Sequence, residues 1–297
     1  MAINKVTVKV NGQSYDLTLN NATGKYEASI TAPNASSFKL SGSYYPVEVT
    51  ATDTAGNSTT KDATDATIGT SLRLKVRETV APIITLTAPT TNAHIGTATP
   101  EITWTVTDAD SGVKEDSISI KIDGGAVVTS GITKTAIANG FRCTYTPPSL
   151  SDGEHTIYLN ASDQDGNAAA QVTSTFTIDT IPPVLTVSTP LDNSFTNVAL
   201  CTISGSTNDA MGTNVTVTIN GETVTVGANG QFTKNITLTE GTNTITVVST
   251  DATGKKTTVT RTVTLDLTPP SITAVTLTPN PSTTGQTILI SVTVSDL

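Results

Sequence analysis

The chain has little charge and few aromatic residues. Aromatics make up 4% and charged residues 14% of its 297 residues, and long apolar runs are absent. A transmembrane helix needs about 20 consecutive apolar residues, so we expect no membrane span. The opening MAINKVTVKV lacks a basic stretch followed by an apolar one, so we do not expect a secretory signal there. What remains is a polar, turn-rich chain with a thin core.

Residues that commonly carry chemistry are scarce as well. The two cysteines, Cys143 and Cys201, alternate with apolar neighbours, and we expect both to be buried free thiols. The two histidines, His94 and His155, are expected in solvated loops, and Trp104 is expected in a strand core. The sequence has no Gly-x-Ser-x-Gly elbow, phosphate loop or zinc spacing. We therefore predict that the protein is not an enzyme.

The net charge is −9, and the basic residues do not cluster. Because phosphate neutralisation requires clustered Lys and Arg, we expect no binding to nucleic acid. Thr and Val are abundant, and both favour the pleated, half-buried surface of a β-sheet. Composition therefore favours an all-β protein that does not bind nucleic acid and has no membrane span.

A repeated pattern predicts the architecture. Three segments alternate polar and apolar residues on both sides of a turn that begins with Asp and contains Gly: VEVTATDTAGNSTT from Val47, IYLNASDQDGNAAA from Ile157 and ITVVSTDATGKKTT from Ile245. Alternation with period two, broken by Gly and Asn turns, predicts antiparallel strands with one buried face. Repetition of the unit predicts tandem sandwiches.

Prolines mark the joints between repeats. VAPIITLTAP, IPPVLTVSTP and TPPSITAVTLTP each place proline before an alternating strand, which suits a linker or strand entry. The spacing of Pro82, Pro183 and Pro270 fits sandwich domains of roughly 100 residues. These segments resemble the bacterial Ig-like repeat family of adhesins, fibres and tail proteins. The resemblance implies an all-β fold of tandem immunoglobulin-like β-sandwiches joined by proline linkers.

The two ends read as complementary parts of one sandwich. We predict an incomplete Ig-like domain with strands C to G at residues 1–79, complete domains at 80–180 and 181–267, and strands A and B at 268–297. The final ILISVTVSDL matches strand B of the second repeat. The first residues match strand C, and Asn11-Gly12 aligns with Asn220-Gly221 as a two-residue hairpin turn.

A sandwich that lacks two strands exposes an apolar face and unpaired edges, which can pair with another chain. We predict assembly through other copies of the chain, joined head-to-tail. Two alternatives stay open: closure of one chain into a ring, and an arbitrary fragment of a longer repeat protein. The expected assembly residues are Val6, Val8, Val10, Ile272, Val275, Leu277, Ile288, Ile290, Val292 and Val294.

Acidic residues recur at the predicted joints. In an Ig-like sandwich the B–C and F–G loops lie at the end where the preceding linker arrives, so each joint gathers three carboxylates. Calcium prefers such oxygen ligands, although Asp is also a common turn residue without a metal. The predicted calcium sets are Glu78, Asp108 and Asp163; Asp179, Asp209 and Asp251; and Asp266, Asp296 and Asp53.

Together these features predict a non-enzymatic structural subunit of an extracellular fibre or appendage, assembled by β-strand complementation. One alternative is a phage-tail or contractile-tail fibre or baseplate component, located in a virion. The other is a fragment of a bacterial surface adhesin stalk, with a host-cell or surface receptor as a partner.

Overall fold

A computed structural model of the protein describes residues 2–296 and is built almost entirely of β-strands. Most of these strands form antiparallel sheets, and two successive segments fold as sandwiches, so the predicted all-β class of tandem sandwiches is confirmed, while the domain split between the two ends stays a prediction. The chain divides into two compact units, one up to Ile178 and one from Asp179 onward. Within the described residues, no helix is long and apolar enough to cross a membrane.

The first segment of the chain folds as a single sheet, which we call the head sheet. Its strands are β1 (Ile3–Val10), β2 (Gln13–Asn20), β3 (Lys25–Glu27), β4 (Tyr45–Asp53), β5 (Ser58–Lys61) and β6 (Arg73–Leu74). They pair in the order β3-β2-β1-β4-β5, and β6 pairs with β4. The β1–β2 turn has positive φ at Asn11 and Gly12, as the Asn-Gly pattern predicts. No facing sheet forms within residues 2–79.

The second segment is a complete sandwich of two four-stranded sheets. Its strands are β7 (Ile83–Ala88), β8 (Ala93–Ile95), β9 (Ile102–Thr107), β10 (Ser119–Ile122), β11 (Thr133–Ile137), β12 (Gly140–Tyr145), β13 (Gly153–Asn160) and β14 (Val172–Ile178). One sheet has the order β10-β13-β14-β8 and the other β11-β12-β9-β7. Inward residues of both sheets, including Trp104, Ile157 and Phe176, are fully buried in one core.

The third segment repeats this plan with a smaller second sheet. Its strands are β15 (Val184–Thr189), β16 (Ser194–Thr196), β17 (Leu200–Asn208), β18 (Thr216–Ile219), β19 (Glu222–Val224), β20 (Gln231–Thr237), β21 (Gly241–Thr250) and β22 (Lys256–Leu265). The sheets have the orders β16-β22-β21-β18-β19 and β15-β17-β20. Ile203, Ile245 and Val247 are fully buried between them.

The last segment is an antiparallel hairpin, which we call the tail hairpin, formed by β23 (Ser271–Thr278) and β24 (Leu289–Ser295). It forms a two-stranded sheet of its own, and every residue in it is exposed. The pairing matches that of β7 with β9 and of β15 with β17, the first two long strands of each sandwich. Asp296 after β24 corresponds to Asp108 after β9 and to Asp209 after β17.

The head sheet corresponds to the other half of a sandwich. β1, β4 and β5 pair in sequence as β18, β21 and β22 do in the third segment. The Asn-Gly turn after β1 matches Asn220-Gly221 after β18, where φ is also positive at both residues. The strand pairing of the head sheet thus resembles one part of a sandwich and that of the tail hairpin another, while a single sandwich split between the two stays a prediction.

Several expectations about single residues need correction. His155 does not lie in a solvated loop: it is on β13 and only 7% exposed. His94 is solvent-exposed as expected, but it lies on β8 rather than in a loop. Cys143 is a buried free thiol, whereas Cys201 is only half-buried because it lies at the start of β17, where β15 no longer pairs with the strand.

Candidate functional sites: acidic loop clusters and open sheet faces

Strands β4, β13 and β21 hold equivalent places in their segments, and the turn after each of them is stabilised by its first Asp. The Oδ1 atom of Asp251 accepts hydrogen bonds from the backbone N–H groups of Thr253 and Lys255, at 2.8 and 2.9 Å. Asp53 and Asp163 make the same kind of turn. Each turn also has a glycine with positive φ three residues after its Asp, a conformation that glycine adopts without strain. Local turn chemistry therefore fixes the position of these carboxylates.

Two of the three predicted acidic sets come together in the structure. Glu78, Asp108 and Asp163 form the first acidic cluster, and Asp179, Asp209 and Asp251 form the second; in each, one carboxylate oxygen from every residue lies within 4.8 Å of the others. All of these residues are buried except Glu78, which is half-buried. The third predicted set, Asp53, Asp266 and Asp296, draws on both compact units and stays a prediction.

In the first acidic cluster, the segment before the sandwich is tied to two loops. Glu78 accepts a hydrogen bond from the backbone N–H of Ser111 at 2.6 Å, and its own N–H donates to Asp165 at 3.0 Å. The Oδ1 atom of Asp108 accepts from the N–H of Gly112 at 2.7 Å. No Lys or Arg forms a salt bridge with Glu78, Asp108 or Asp163 within residues 2–296.

A further contact joins the head segment to this sandwich. The backbone N–H of Ser36 donates to both carboxylate oxygens of Asp110, at 3.0 and 2.9 Å, and the Lys39 Nζ donates to the Ala109 carbonyl at 3.1 Å. These hydrogen bonds, together with those of Glu78, hold the two segments in one compact unit.

The second acidic cluster contains a buried carboxylate oxygen that has no hydrogen-bond donor. Asp251 is 6% exposed; its Oδ1 atom accepts the turn hydrogen bonds, while its Oδ2 atom is buried and accepts none within the described part of the chain. Asp209 is held by hydrogen bonds from the Met211 N–H and the Thr213 hydroxyl. A buried polar atom without a partner costs roughly 1–3 kcal/mol, so a cation bound to Oδ2 would offset that cost.

Electrostatics also favour a cation in both acidic clusters. Two ionised carboxylates at the 4.8 Å limit repel each other by about 3 kcal/mol at an effective dielectric constant of about 20. Buried oxygen ligands without nitrogen or sulfur are the donor set of a hard cation such as calcium. The residues thus fit calcium, although the binding itself stays a prediction.

The tail hairpin has one fully apolar, exposed face. Ile272 pairs with Val294, Val275 with Val292, and Leu277 with Ile290. Their exposures range from 42% for Leu277 to 67% for Ile272. The corresponding β9 residues in the second sandwich, Ile102, Trp104 and Val106, are fully buried. Of the remaining predicted assembly residues, Ile288 is 40% exposed and precedes β24.

The head sheet has a matching apolar groove of about 510 Å³. Its apolar lining comes from residues on the same side of β1 to β4 and from the segment after β3: Val8, Val10, Leu17, Tyr26, Val47, Val49 and Ile30. Val6 and Val10 are already buried, so Val8 is the most accessible of the three predicted assembly valines on β1.

Sequence reasoning missed one polar site in the second sandwich. The His155 Nδ1 lies 2.7 Å from an Asp123 carboxylate oxygen, and its Nε2 lies 2.8 Å from the Ser151 carbonyl oxygen. Both partners are acceptors, so the two ring nitrogens donate at the same time only when the imidazole is protonated. Burial acts to lower the pKa of His155, but the Ser151 and Asp123 interactions outweigh it and raise the pKa above 6.5.

Two segments of the chain match models of known protein families. Residues 82–159 match the family model "Bacterial Ig domain", and residues 183–267 match "Glucodextranase, domain B". Bacillopeptidase F of Bacillus subtilis is 34% identical over 170 residues, which are 54% of this chain and 11% of that protein. The serine-rich adhesin for platelets of Staphylococcus aureus is 30% identical over 215 residues, which are 69% of this chain and 13% of that protein.

The chain therefore spans only about a tenth of the length of these curated relatives. Among solved structures, the titin I-band fragment I67–I69 is 13% identical, with a TM-score of 0.42, and covers 89% of this chain and 88% of the fragment. The fibronectin(III)-like modules of Clostridium thermocellum CbhA are 16% identical, with a TM-score of 0.38, and cover 62% of this chain and 94% of theirs. Residues 82–159 match the model of a bacterial Ig domain, and the predicted resemblance to bacterial Ig-like repeat proteins is confirmed.

Proposed function

We propose that this chain is a non-enzymatic structural segment of an extracellular fibre or surface protein. The observation that carries the proposal is the pair of acidic clusters. Each cluster joins the segment preceding a sandwich to two loops of that sandwich, one after β9 or β17 and one after β13 or β21. Calcium at these clusters would hold the connecting segment against the loops and limit bending there. Such a role requires spacing and stiffness rather than a reactive site.

The relatives support an extracellular location. Over 215 residues the chain is 30% identical to the serine-rich adhesin for platelets, whose name describes adhesion. An adhesin stalk is accordingly the closest alternative to a fibre subunit, and a surface receptor would then be contacted elsewhere in the larger protein. The phage-tail alternative stays a prediction from sequence.

The open faces of the head sheet and the tail hairpin support the second part of the proposal, that copies join head-to-tail by β-strand complementation. A contact between two different surfaces that does not close on itself builds a filament. The apolar residues of the tail hairpin are exposed, whereas their counterparts in the complete sandwiches are buried. Covering that face would remove apolar area from water, which is the main driving force of protein association.

Calcium dependence tests the structural role. At a free concentration one hundred times the dissociation constant, a bound ion stabilises its domain by about 2.7 kcal/mol, which raises Tm by roughly 10 °C or more for a domain of this size. We expect calcium to raise Tm and EDTA to reverse the rise. Asp251→Asn removes the charge of a carboxylate in the second acidic cluster and should abolish the rise for the third sandwich.

Glu101→Gln is the matched control, because Glu101 is exposed and lies outside both acidic clusters while the change in charge is the same. The control should keep the full calcium response. Isothermal titration should count two ions per chain for the two acidic clusters. Equal Tm values in EDTA and calcium, with no heat of binding, would contradict calcium-stiffened joints.

A further inference from the structure

We infer that the apolar groove of the head sheet is the docking site for the tail hairpin of a second copy, with β24 added to the free edge of β3. This inference rests on the proposed structural role and specifies its partner, its strand edge and its register. The two complete sandwiches serve as internal templates, because each contains both groups of strands within one fold.

The third sandwich shows which strand edge of the head sheet β24 would pair with. There Phe232 on β20 pairs with Val226 on one side and with Gly205 of β17 on the other. In the head sheet, Gly24-Lys25-Tyr26 matches Gly230-Gln231-Phe232, and φ is positive at both glycines. Tyr26 pairs with Leu19 on one side, and no strand within the described residues lies on its other side. That other side is the edge on which β24 would add.

The same template gives the register. Asp296 corresponds to Asp209, so Val292 corresponds to Gly205. Since Gly205 pairs with Phe232, Val292 should lie opposite Tyr26. Strand addition of this kind supplies backbone hydrogen bonds from the edge and specificity from alternate side chains. The residues next to this pair, Ser291 and Glu27, correspond to Ser204 and Thr233, which also pair.

The side chains are complementary in this register. Val292 and its neighbours two positions away, Ile290 and Val294, all project to the apolar face of the hairpin. They would cover the half-buried Val8, Val47 and Val49 of the groove, as the β9 residues cover Ile157 and Leu159 in the second sandwich. The apolar face of the hairpin carries no charged residue, but Glu27, Arg73 and Lys75 also line the groove, so the docked hairpin must leave their charged ends in contact with water.

Two complementary variants of the full chain test the docking. Val292→Asp places a charge on the exposed face of the tail hairpin, and Ile30→Asp places one in the groove of the head sheet at a half-buried residue outside any strand. Wild-type protein should grow in mass with concentration in sedimentation and light-scattering measurements. Each variant alone should lose association by roughly tenfold or more.

An equimolar mixture of the two variants is the decisive sample. Each partner keeps one intact surface, so the mixture should form a dimer and stop there. Thr276→Asp is the matched control, because Thr276 is exposed on β23, on the opposite face from the apolar residues and away from the β24 edge, and its variant should associate like wild type. Unchanged circular dichroism melting shows that Val292→Asp leaves the sandwiches folded, since its side chain is exposed.

Cysteine cross-linking tests the register without altering the apolar face. A chain with Glu27→Cys, mixed with one carrying Ser291→Cys, should form an intermolecular disulfide, identified by peptide mass mapping. Ser295→Cys in place of Ser291→Cys lies about 13 Å farther along the strand at ~3.3 Å per residue, and it should not cross-link with Glu27→Cys.

Three outcomes would overturn the inference. Wild-type chain that stays monomeric at all concentrations would show that a second copy does not occupy the groove. Association that survives Val292→Asp would place the interface on another surface. A mixture of the two variants that stays monomeric would exclude pairing of these two faces. None of these measurements depends on calcium at the second acidic cluster, so the proposed stiffening role and this docking can fail independently.

Discussion

Replacing His155 should remove a pH-dependent part of the stability of the second sandwich. The protonated ring donates to Asp123 and to the Ser151 carbonyl while it packs near Phe176, with the two ring centroids 5.7 Å apart. His155→Gln removes the charge and at least one of these hydrogen bonds. The variant therefore separates the contribution of the imidazolium from the rest of the core.

The structure sets the size and sign of the effect. A hydrogen bond involving a charged group contributes about 1.5–3 kcal/mol, but the Asp123 side chain is 45% exposed, and water replaces part of its interaction. We expect a loss of about 2 kcal/mol at pH 5. Because the folded-state pKa of His155 is raised above 6.5, its contribution is complete below that pH and is lost as pH rises through the folded-state pKa.

Urea unfolding followed by tryptophan fluorescence measures this effect. The chain has one tryptophan, Trp104, and it lies in the same core as Phe176. The difference in unfolding free energy between wild type and His155→Gln should be largest at pH 5 and should shrink by pH 9. His94→Gln is the control, since His94 is exposed on the same sandwich. A difference that is equal at pH 5 and pH 9 would refute a protonated, paired His155.

Two further predictions concern packing and thiol chemistry in the sandwiches. Gly140→Ala should lower the free energy of unfolding by about 1–3 kcal/mol, because the new Cβ would lie 1.9 Å from the Val106 carbonyl oxygen. Gly124→Ala is the control, since its Cβ would meet nothing within 4 Å. Equal urea midpoints for the two variants would contradict the close approach at Gly140. Cys143 should react with a thiol reagent only after unfolding, because burial raises its pKa to about 11. The half-buried Cys201 should react earlier. Mass spectrometry of labelled peptides measures the order, and labelling of Cys143 before Cys201 would contradict the prediction.

Local patterns predicted a large part of the fold. Period-two alternation and the Asn-Gly and Asp-containing turns identify strands and hairpins, since these depend on residues close in sequence. The structure has positive φ at Asn11 and Gly12, as the turn requires. The acidic clusters were also predictable, because Asp108 and Asp163 each sit in a turn whose place in the repeat is fixed.

Other features could not be read from the sequence. His155 precedes an alternating strand near an Asp-Gly pair, a pattern typical of an exposed turn, but Asp123 and Ser151 converge on its ring from elsewhere in the sandwich. Cys143 and Cys201 share similar apolar neighbours, yet only Cys143 is buried. Burial at such positions depends on which strands pack across the sheet, and those strands are distant in sequence.

The sequence by itself determined the all-β class, the repeated sandwich plan and the positions of the turn carboxylates, because strand period and turn chemistry act over a few residues. Only the tertiary structure decided that the carboxylates of each acidic cluster lie within 4.8 Å of one another, that His155 is buried between two hydrogen-bond acceptors, and that the tail hairpin carries an uncovered apolar face. The physical reason is that these properties arise from contacts between strands far apart along the chain, where packing decides which groups lose contact with water.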